Sequence, residues 1–137
     1  MTVKELMSTS ICFIRSDASL SQAAALMRQY NIGFIPVCDN KGALLGAVTD
    51  RDLITRTDFE ADEPAKIPAS SLMTKNLVTV SPDMDIHDAA CLFSKSKVHR
   101  LPVVENGRLV GILTVNDLAK KRIYLAEVGD IMGAFMQ

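Results

Sequence analysis

The sequence predicts an α/β (α+β) fold in which one unit, strand–helix–strand–strand–helix, occurs twice. Three observations support this prediction. The 137-residue chain aligns with itself, each copy alternates helical and strand hydrophobic periodicity, and 48% of the residues are hydrophobic, which is ample for a core. Because each copy is too small to bury its sheet alone, we expect the two copies to pack with pseudo-twofold symmetry.

The internal repeat runs through most of the chain. At an offset of 66 residues, ELMSTSICFIRSDASLSQAAALMRQYNIGFIPVCDN aligns with SLMTKNLVTVSPDMDIHDAACLFSKSKVHRLPVVEN. After one skipped residue near Lys41, GALLGAVTDRDL aligns with GRLVGILTVNDL at an offset of 65. The predicted organisation is therefore repeat 1 at 3–56, an acidic, proline-containing linker at 57–68, repeat 2 at 69–123 and a tail at 124–137.

Each element of the repeat has its own signal in the sequence. A short strand is predicted near 11–14 and again near 77–80, and an amphipathic helix follows because apolar residues recur there at helical spacing. Ser19 and Gln22 form a capping box that marks the start of the first helix. FIPVCD and LLGAVT are then predicted to be two strands joined by a turn, as are LPVV and LVGILT. A second helix begins at Thr49 in repeat 1.

Composition and charge exclude several classes of protein. A formal net charge of −1 gives no electrostatic footprint for nucleic acid or for an anionic membrane. No apolar run approaches the roughly 20 residues that span a bilayer, and the first residues lack the apolar region of a secretory signal. Cys12, Cys38 and Cys91 are widely spaced without a CxxC motif, which favours reduced thiols over disulfides or a zinc site. We expect a cytoplasmic protein without a metal site.

The same short motif, T-x-x-D, begins the second helix of both copies. Thr49 with Asp52 matches a capping box, in which each side chain satisfies a backbone N–H group at the helix start. The motif recurs at Thr114 and Asp117, after a strand whose glycine allows another backbone to approach closely. A carboxylate can accept hydrogen bonds from both ribose hydroxyls, and a threonine hydroxyl and free helix-start amides suit phosphate oxygens. The cap and the ligand-binding interpretations are both open.

The duplicated unit resembles the CBS (cystathionine β-synthase) domain. The resemblance rests on IPV and LPV before each hairpin and on G-h-h-T-x-x-D at its end, seen twice in register across all but the linker and tail. Two such units in tandem resemble a Bateman module. The resemblance implies clefts between the repeats that bind AMP, ADP, ATP or S-adenosylmethionine, pairing of modules into a homodimer, and regulation, such as energy sensing, in place of catalysis.

The resemblance also implies roles for the T-x-x-D residues. Asp52 and Asp117 would hold ribose hydroxyls, and Thr49 and Thr114 would approach ribose or phosphate. As the alternative, both pairs are helix caps and nothing more.

The cations that could hold phosphate differ between the copies. Repeat 1 has Arg51 beside the helix start, where repeat 2 has the neutral Asn116. Repeat 2 has His99 and Arg100 before LPV, a pair similar to the phosphate-binding pairs in the gamma subunit of AMP-activated protein kinase. Arginine presents a planar donor fork that matches phosphate, whereas a solvated Arg100 and a capping His99 are the alternative. The two clefts are therefore not expected to be equivalent.

An adenine base would need an apolar slot beside these polar groups. The candidates to line it lie at the ends of the predicted strands and beside the prolines: Ile14, Ile35, Pro36, Val80, Leu101 and Pro102. Core packing is the alternative for each of them. Thr79 is a further candidate for a base or ribose contact.

We predict a stand-alone regulatory protein that binds an adenine nucleotide and signals through dimer or partner conformation. Alternatively, the chain is a dimerisation or interaction scaffold with degenerate, unliganded clefts. No G-x-S-x-G, P-loop, H-E-x-x-H or metal-ligand cluster appears, so we expect neither an enzyme nor a catalytic residue. The regulated partner would be an unidentified protein or the module's own assembly. The tail has apolar residues at near-helical spacing, and we expect it to pack on the module or join a dimer contact.

Overall fold

A computed structural model describes all 137 residues and divides them into two compact units. We call Cys12–Leu77 the N unit, and we call Met1–Ile11 together with Val78–Gln137 the C unit. Each unit combines the body of one repeat with the first segment of the other repeat. The mixed helix and strand content of the units confirms the predicted fold class.

The helices and strands follow the order that the repeat predicts. In chain order they are α1 (Val3–Leu6), β1 (Ile14–Arg15), α2 (Leu20–Tyr30), β2 (Phe34–Cys38), β3 (Leu44–Thr49), α3 (Asp50–Arg56), α4 (Ile86–Ser96), β4 (Arg100–Glu105), β5 (Arg108–Thr114), α5 (Val115–Ala119) and α6 (Leu125–Phe135). Short 3-10 turns at Ala69–Ser71 and Arg122–Tyr124 complete the elements. None of the helices combines the length and the apolar character needed to cross a bilayer.

The N unit contains a three-stranded sheet in the order β1-β2-β3. Strand β1 is parallel to β2, and β2 is antiparallel to β3. Helix α2 begins at the predicted capping box, where Ser19 accepts a hydrogen bond from the Gln22 amide, and it ends at Asn31 in the left-handed conformation. Its apolar face packs with the sheet in a core made of Ile14, Leu20, Ala23, Met27, Ile35, Val37, Val48 and Ala69.

The C unit repeats this plan with one difference. Strands β4 and β5 pair antiparallel through a turn at Asn106 and Gly107, whose φ angles of 52° and 79° suit a tight two-residue hairpin. The strand predicted near 77–80 is reduced to one parallel bridge between Val80 and Val103. Phe93 of α4 is fully buried against this sheet.

Segments exchanged between the repeats complete both units. In the C unit, Val3 donates its backbone N–H to the Met84 carbonyl at 2.8 Å, and Ser8 exchanges hydrogen bonds with Ile112. In the N unit, the equivalent bond from Ala69 to the Ala18 carbonyl is 2.7 Å. The boundaries of the compact units therefore differ from those of the sequence repeats at 3–56 and 69–123. The first residues of each repeat pack in the unit that contains most of the other repeat.

Two glycines of the repeat make room for these exchanged segments. A Cβ atom on Gly46 would lie 2.6 Å from the carbonyl oxygen of Thr74, which bridges to the neighbouring Ala47. A Cβ atom on Gly111 would lie 2.5 Å from the Met7 sulfur and 3.1 Å from the Ser8 carbonyl oxygen. The close backbone approach predicted at these glycines is real, and the backbone that approaches is the protein's own.

The tail forms helix α6, which packs on α4 and α5 within the C unit. Ile131 on its inner face is fully buried, and Tyr124 just before it is 2% exposed. The His87 Nδ1 atom of α4 lies 2.8 Å from Glu127 Oε1 of α6. These contacts confirm that the tail packs on the module.

Candidate functional site

The N-unit motif is a complete helix cap. The Thr49 hydroxyl accepts a hydrogen bond from the Asp52 amide at 3.0 Å, and Asp52 Oδ2 accepts one from the Thr49 amide at 3.0 Å. The Thr74 hydroxyl lies 3.3–3.4 Å from the two carboxylate oxygens of Asp52, and Arg56 Nε lies 3.6 Å from Oδ1. Asp52 is only 7% exposed. Its carboxylate is thus already engaged by the protein.

The C-unit motif has the same cap and fewer other partners. The Thr114 amide donates to Asp117 Oδ2 at 2.8 Å, and the Thr114 hydroxyl accepts from the Asp117 amide at 3.1 Å. Asp117 is half-buried. Within the C unit, this capping bond is the only hydrogen bond that the carboxylate accepts, so its second oxygen is available to a ligand.

The two predicted phosphate-binding residues of repeat 2 lie beside this cap. Arg100 is the register partner of Thr114 at the start of β4, and the Val115 amide donates to the His99 carbonyl at 3.2 Å. Arg100 is half-buried and His99 is exposed. The structure therefore brings His99, Arg100, Thr114 and Asp117 together at one end of the β4–β5 hairpin.

The apolar residues predicted to line an adenine slot are buried within the two units. The six side chains are all buried in the cores of the two units, with Ile35 and Leu101 at 0% exposure, and they are Ile14, Ile35, Pro36, Val80, Leu101 and Pro102. Burial fits the core-packing alternative, and Ile14 and Val80 keep 6% and 3% exposure, so the adenine slot stays a prediction. Thr79 is exposed and precedes Val80, whose amide donates to the Pro102 carbonyl at 3.0 Å, so its contact with a ligand stays a prediction.

Asp50 lies beside the N-unit cap, and the sequence analysis did not name it as a candidate. Its amide donates to the Gly33 carbonyl at 3.0 Å, and its Oδ2 atom would lie 2.8 Å from a Cβ atom placed on Gly33. Gly33 is the repeat equivalent of His99, so the N unit has a carboxylate where the C unit has an imidazole. Arg51 is exposed, and its amide donates to Asp50 Oδ1 at 2.8 Å. The available signal was an acid at position 50 where position 115 is valine.

The titratable groups with shifted pKa values lie outside these caps. Burial raises the pKa of the Cys12 and Cys38 thiols, which opposes thiolate formation. Backbone hydrogen bonds from Ala43 and Lys41 lower the pKa of Asp39, in the turn between β2 and β3. No group of three or more histidine, cysteine, aspartate or glutamate residues is arranged to hold a metal ion.

Comparison with known proteins identifies the family. The CBS domain model matches residues 3–57 and 69–124, which together cover most of the chain. The chain belongs to the CBS domain family and contains two such domains in tandem, as the resemblance implied.

Two curated relatives place the module in different contexts. The chain is 34% identical over 131 residues to the CBS domain-containing protein YhcV of Bacillus subtilis, covering 96% of this chain and 92% of that protein. It is 38% identical over 111 residues to inosine-5'-monophosphate dehydrogenase of Staphylococcus epidermidis, covering 79% of this chain and 22% of the enzyme. The chain thus matches about a fifth of that enzyme's length.

Solved structures of similar proteins confirm the tandem CBS fold. AcuB of Vibrio cholerae matches with a TM-score of 0.81 at 28% identity, over 95% of this chain and 96% of that one. CBSX2, solved in complex with AMP, matches with a TM-score of 0.77 at 26% identity, over 91% and 98%. The CBS domain pair of MJ0100, solved with 5'-methylthioadenosine and S-adenosyl-L-methionine, matches with a TM-score of 0.74 at 28% identity, over 88% and 94%.

Proposed function

We propose that this chain is a regulatory module that binds an adenine nucleotide, with the principal site in the C unit. The observation that carries the proposal is the grouping of His99 and Arg100 with the Thr114–Asp117 cap. Arg100 offers a planar donor fork to phosphate, and the second oxygen of Asp117 can accept hydrogen bonds from ribose hydroxyls. Donors for phosphate and an acceptor for ribose are the two polar features that a nucleoside phosphate needs.

Electrostatics favour the C unit over the N unit for a phosphate. The Asp50 carboxylate lies over Gly33, the N-unit equivalent of His99, and Asp52 adds a second carboxylate at the same helix start. Like charges repel, and a phosphate placed at this helix start would face both carboxylates. Arg51 offsets part of this repulsion. Asp50 and Arg51 are both exposed and screened, whereas Asp52 is buried and is screened much less. We expect the N unit to bind a phosphate-bearing ligand more weakly.

The class of ligand follows from the similar proteins. CBSX2 was solved with AMP, and the MJ0100 pair was solved with two adenosyl compounds, of which neither carries a phosphate. The cations of the C unit favour AMP, ADP or ATP over S-adenosylmethionine for this chain. The T-x-x-D residues supply groups that recognise a ligand, and they do not pair a nucleophile with a general base. Binding would therefore act on dimer or partner conformation.

Thermal unfolding with AMP, ADP, ATP and S-adenosylmethionine tests the proposal. A ligand present at 100 times its Kd adds about 2.7 kcal/mol to the free energy of unfolding. The melting temperature of a chain of this size should then rise by several degrees. A rise with any of the three nucleotides supports the proposal, and the absence of a shift with all four compounds at millimolar concentration refutes it.

An interaction scaffold with unliganded sites is the second candidate function. The observation that favours it is the N-unit cap, whose aspartate is buried and fully engaged by Thr49, Thr74 and Arg56. If the C-unit cap has the same purely structural role, the module works through its surfaces alone. The thermal unfolding experiment separates the two candidates.

A further inference from the structure

Helix α6 lies outside the repeat and contacts the candidate C-unit site directly. The Phe135 ring, in its last residue, packs on the His99 ring with centroids 4.2 Å apart and planes tilted by 41°. The same helix packs on α5, which carries Asp117. One helix therefore touches the elements that carry both the phosphate-binding and the ribose-binding groups. Repeat 1 has no counterpart, because an acidic linker follows α3 there.

Helix α6 is fixed to the C unit independently of His99. Ile131 is fully buried in the core, and Glu127 contacts His87 of α4 at 2.8 Å. Phe135 is half-buried, whereas its neighbour Met136 is 86% exposed. The Phe135 ring that contacts His99 is therefore held in place by a packed helix. The His99 side chain is otherwise exposed.

The geometry of the ring pair is compatible with ligand binding. With centroids 4.2 Å apart, the two rings are in contact, whereas an imidazole donates a hydrogen bond from an N–H group at its edge. A phenyl ring on one face restricts the rotamers of His99 and leaves the edge free for phosphate. Ordering this side chain in advance removes part of the entropy that binding would otherwise cost.

We propose that Phe135 is a positioning residue that holds His99 for phosphate, and that α6 thereby reports occupancy of the C-unit site. This inference rests on the proposed function. Because coupling between two events is reciprocal, a bound phosphate that engages His99 also stabilises the docked helix. The helix is the element through which the module would communicate binding to a partner.

Calorimetric binding of AMP and of adenosine to the Phe135→Ala variant tests the inference. The two probes differ only in the phosphate. We expect the variant to weaken AMP binding about fivefold, which lies within the energy of one aromatic pair, and to leave adenosine binding within about twofold. The matched control is Met136→Ala, which removes an exposed side chain from the next residue and should change neither affinity.

Hydrogen exchange of the unmodified protein gives a second readout that needs no variant. We expect AMP to slow exchange in 125–135 more than adenosine does at equal site occupancy. Equal effects of the two probes on α6, or an equal loss of both affinities in Phe135→Ala, would overturn the inference while leaving the proposed function intact. Binding of S-adenosylmethionine without AMP binding would overturn the phosphate assignment and this inference with it. Failure of AMP, ADP, ATP and S-adenosylmethionine to bind the unmodified protein would refute the proposed function itself.

Discussion

The substitution Gly46→Ala should destabilise the N unit strongly, because the exchanged segment passes directly over this glycine. The added Cβ atom would lie 2.6 Å from the Thr74 carbonyl oxygen, a backbone atom that can move only if the segment moves. Displacement would weaken both backbone hydrogen bonds between Ala47 and Thr74, which are 2.8 and 3.0 Å long. Two such bonds contribute about 2 kcal/mol, and overpacking adds about 1–3 kcal/mol. We expect a loss of about 3 kcal/mol in the free energy of unfolding.

Gly111→Ala is the matched comparison at the equivalent position of the C unit. Its new Cβ atom would first meet the sulfur of Met7, the flexible part of a side chain, and the Ser8 carbonyl lies farther away at 3.1 Å. We expect a smaller loss of about 1 kcal/mol. Urea unfolding with fitted midpoints and slopes measures both values. If Gly46→Ala lies within about 0.5 kcal/mol of the unmodified protein, or Gly111→Ala is the more harmful change, the exchanged segments do not pack as described.

Three further predictions address other parts of the molecule. In Gly129→Ala of α6, the new Cβ atom meets no atom within 4 Å, so the free energy of unfolding should rise by about 0.5–1 kcal/mol. If urea unfolding gives a lower free energy instead, the new methyl group makes an unfavourable contact there. Phe93→Ala removes a fully buried ring and should cost about 3–5 kcal/mol; a cost under 1 kcal/mol would contradict its place in the core. Asp39 should titrate below pH 3.8 by NMR, because the amides of Ala43 and Lys41 favour its charged form. Because the pKa of Asp39 is lowered in the folded protein, its contribution to stability is present above pH 3.8 and is lost as the pH falls through the folded pKa. The free energy of unfolding should therefore fall less steeply with acid in Asp39→Asn than in the unmodified protein. An unchanged dependence on pH would refute this prediction.

Most of the fold could be predicted from the sequence, because the signals for its elements are local. The capping boxes at Ser19 and Thr49 and the hydrophobic periodicity of the two long helices marked those elements correctly. The second hairpin turn was marked by Asn106 and Gly107, which both adopt positive φ angles. Repetition in register indicated the fold more specifically than a single motif can.

The exchange of segments could not be predicted, because it depends on contacts distant in sequence. No local sequence signal predicts the bridge between Thr74 and Ala47, and the short segments around such bridges show no hydrophobic periodicity. The same limit applies to the candidate site. Thr74 engages Asp52 from 22 residues away, and the packing of Phe135 on His99 is likewise a tertiary contact. The adenine slot stays a prediction, because core positions and ligand slots have the same apolar composition.

Calorimetric binding of AMP to Asp117→Asn and Asp52→Asn tests most directly the claim that the C unit holds the nucleotide. Each substitution keeps an oxygen that can cap the helix and removes the charge, so the pair is matched. A hydrogen bond to a charged group contributes about 1.5–3 kcal/mol, which corresponds to roughly tenfold or more in affinity. The account predicts that Asp117→Asn weakens AMP binding at least tenfold and that Asp52→Asn changes it less than about threefold. The reverse order, or full affinity in both variants, would contradict it.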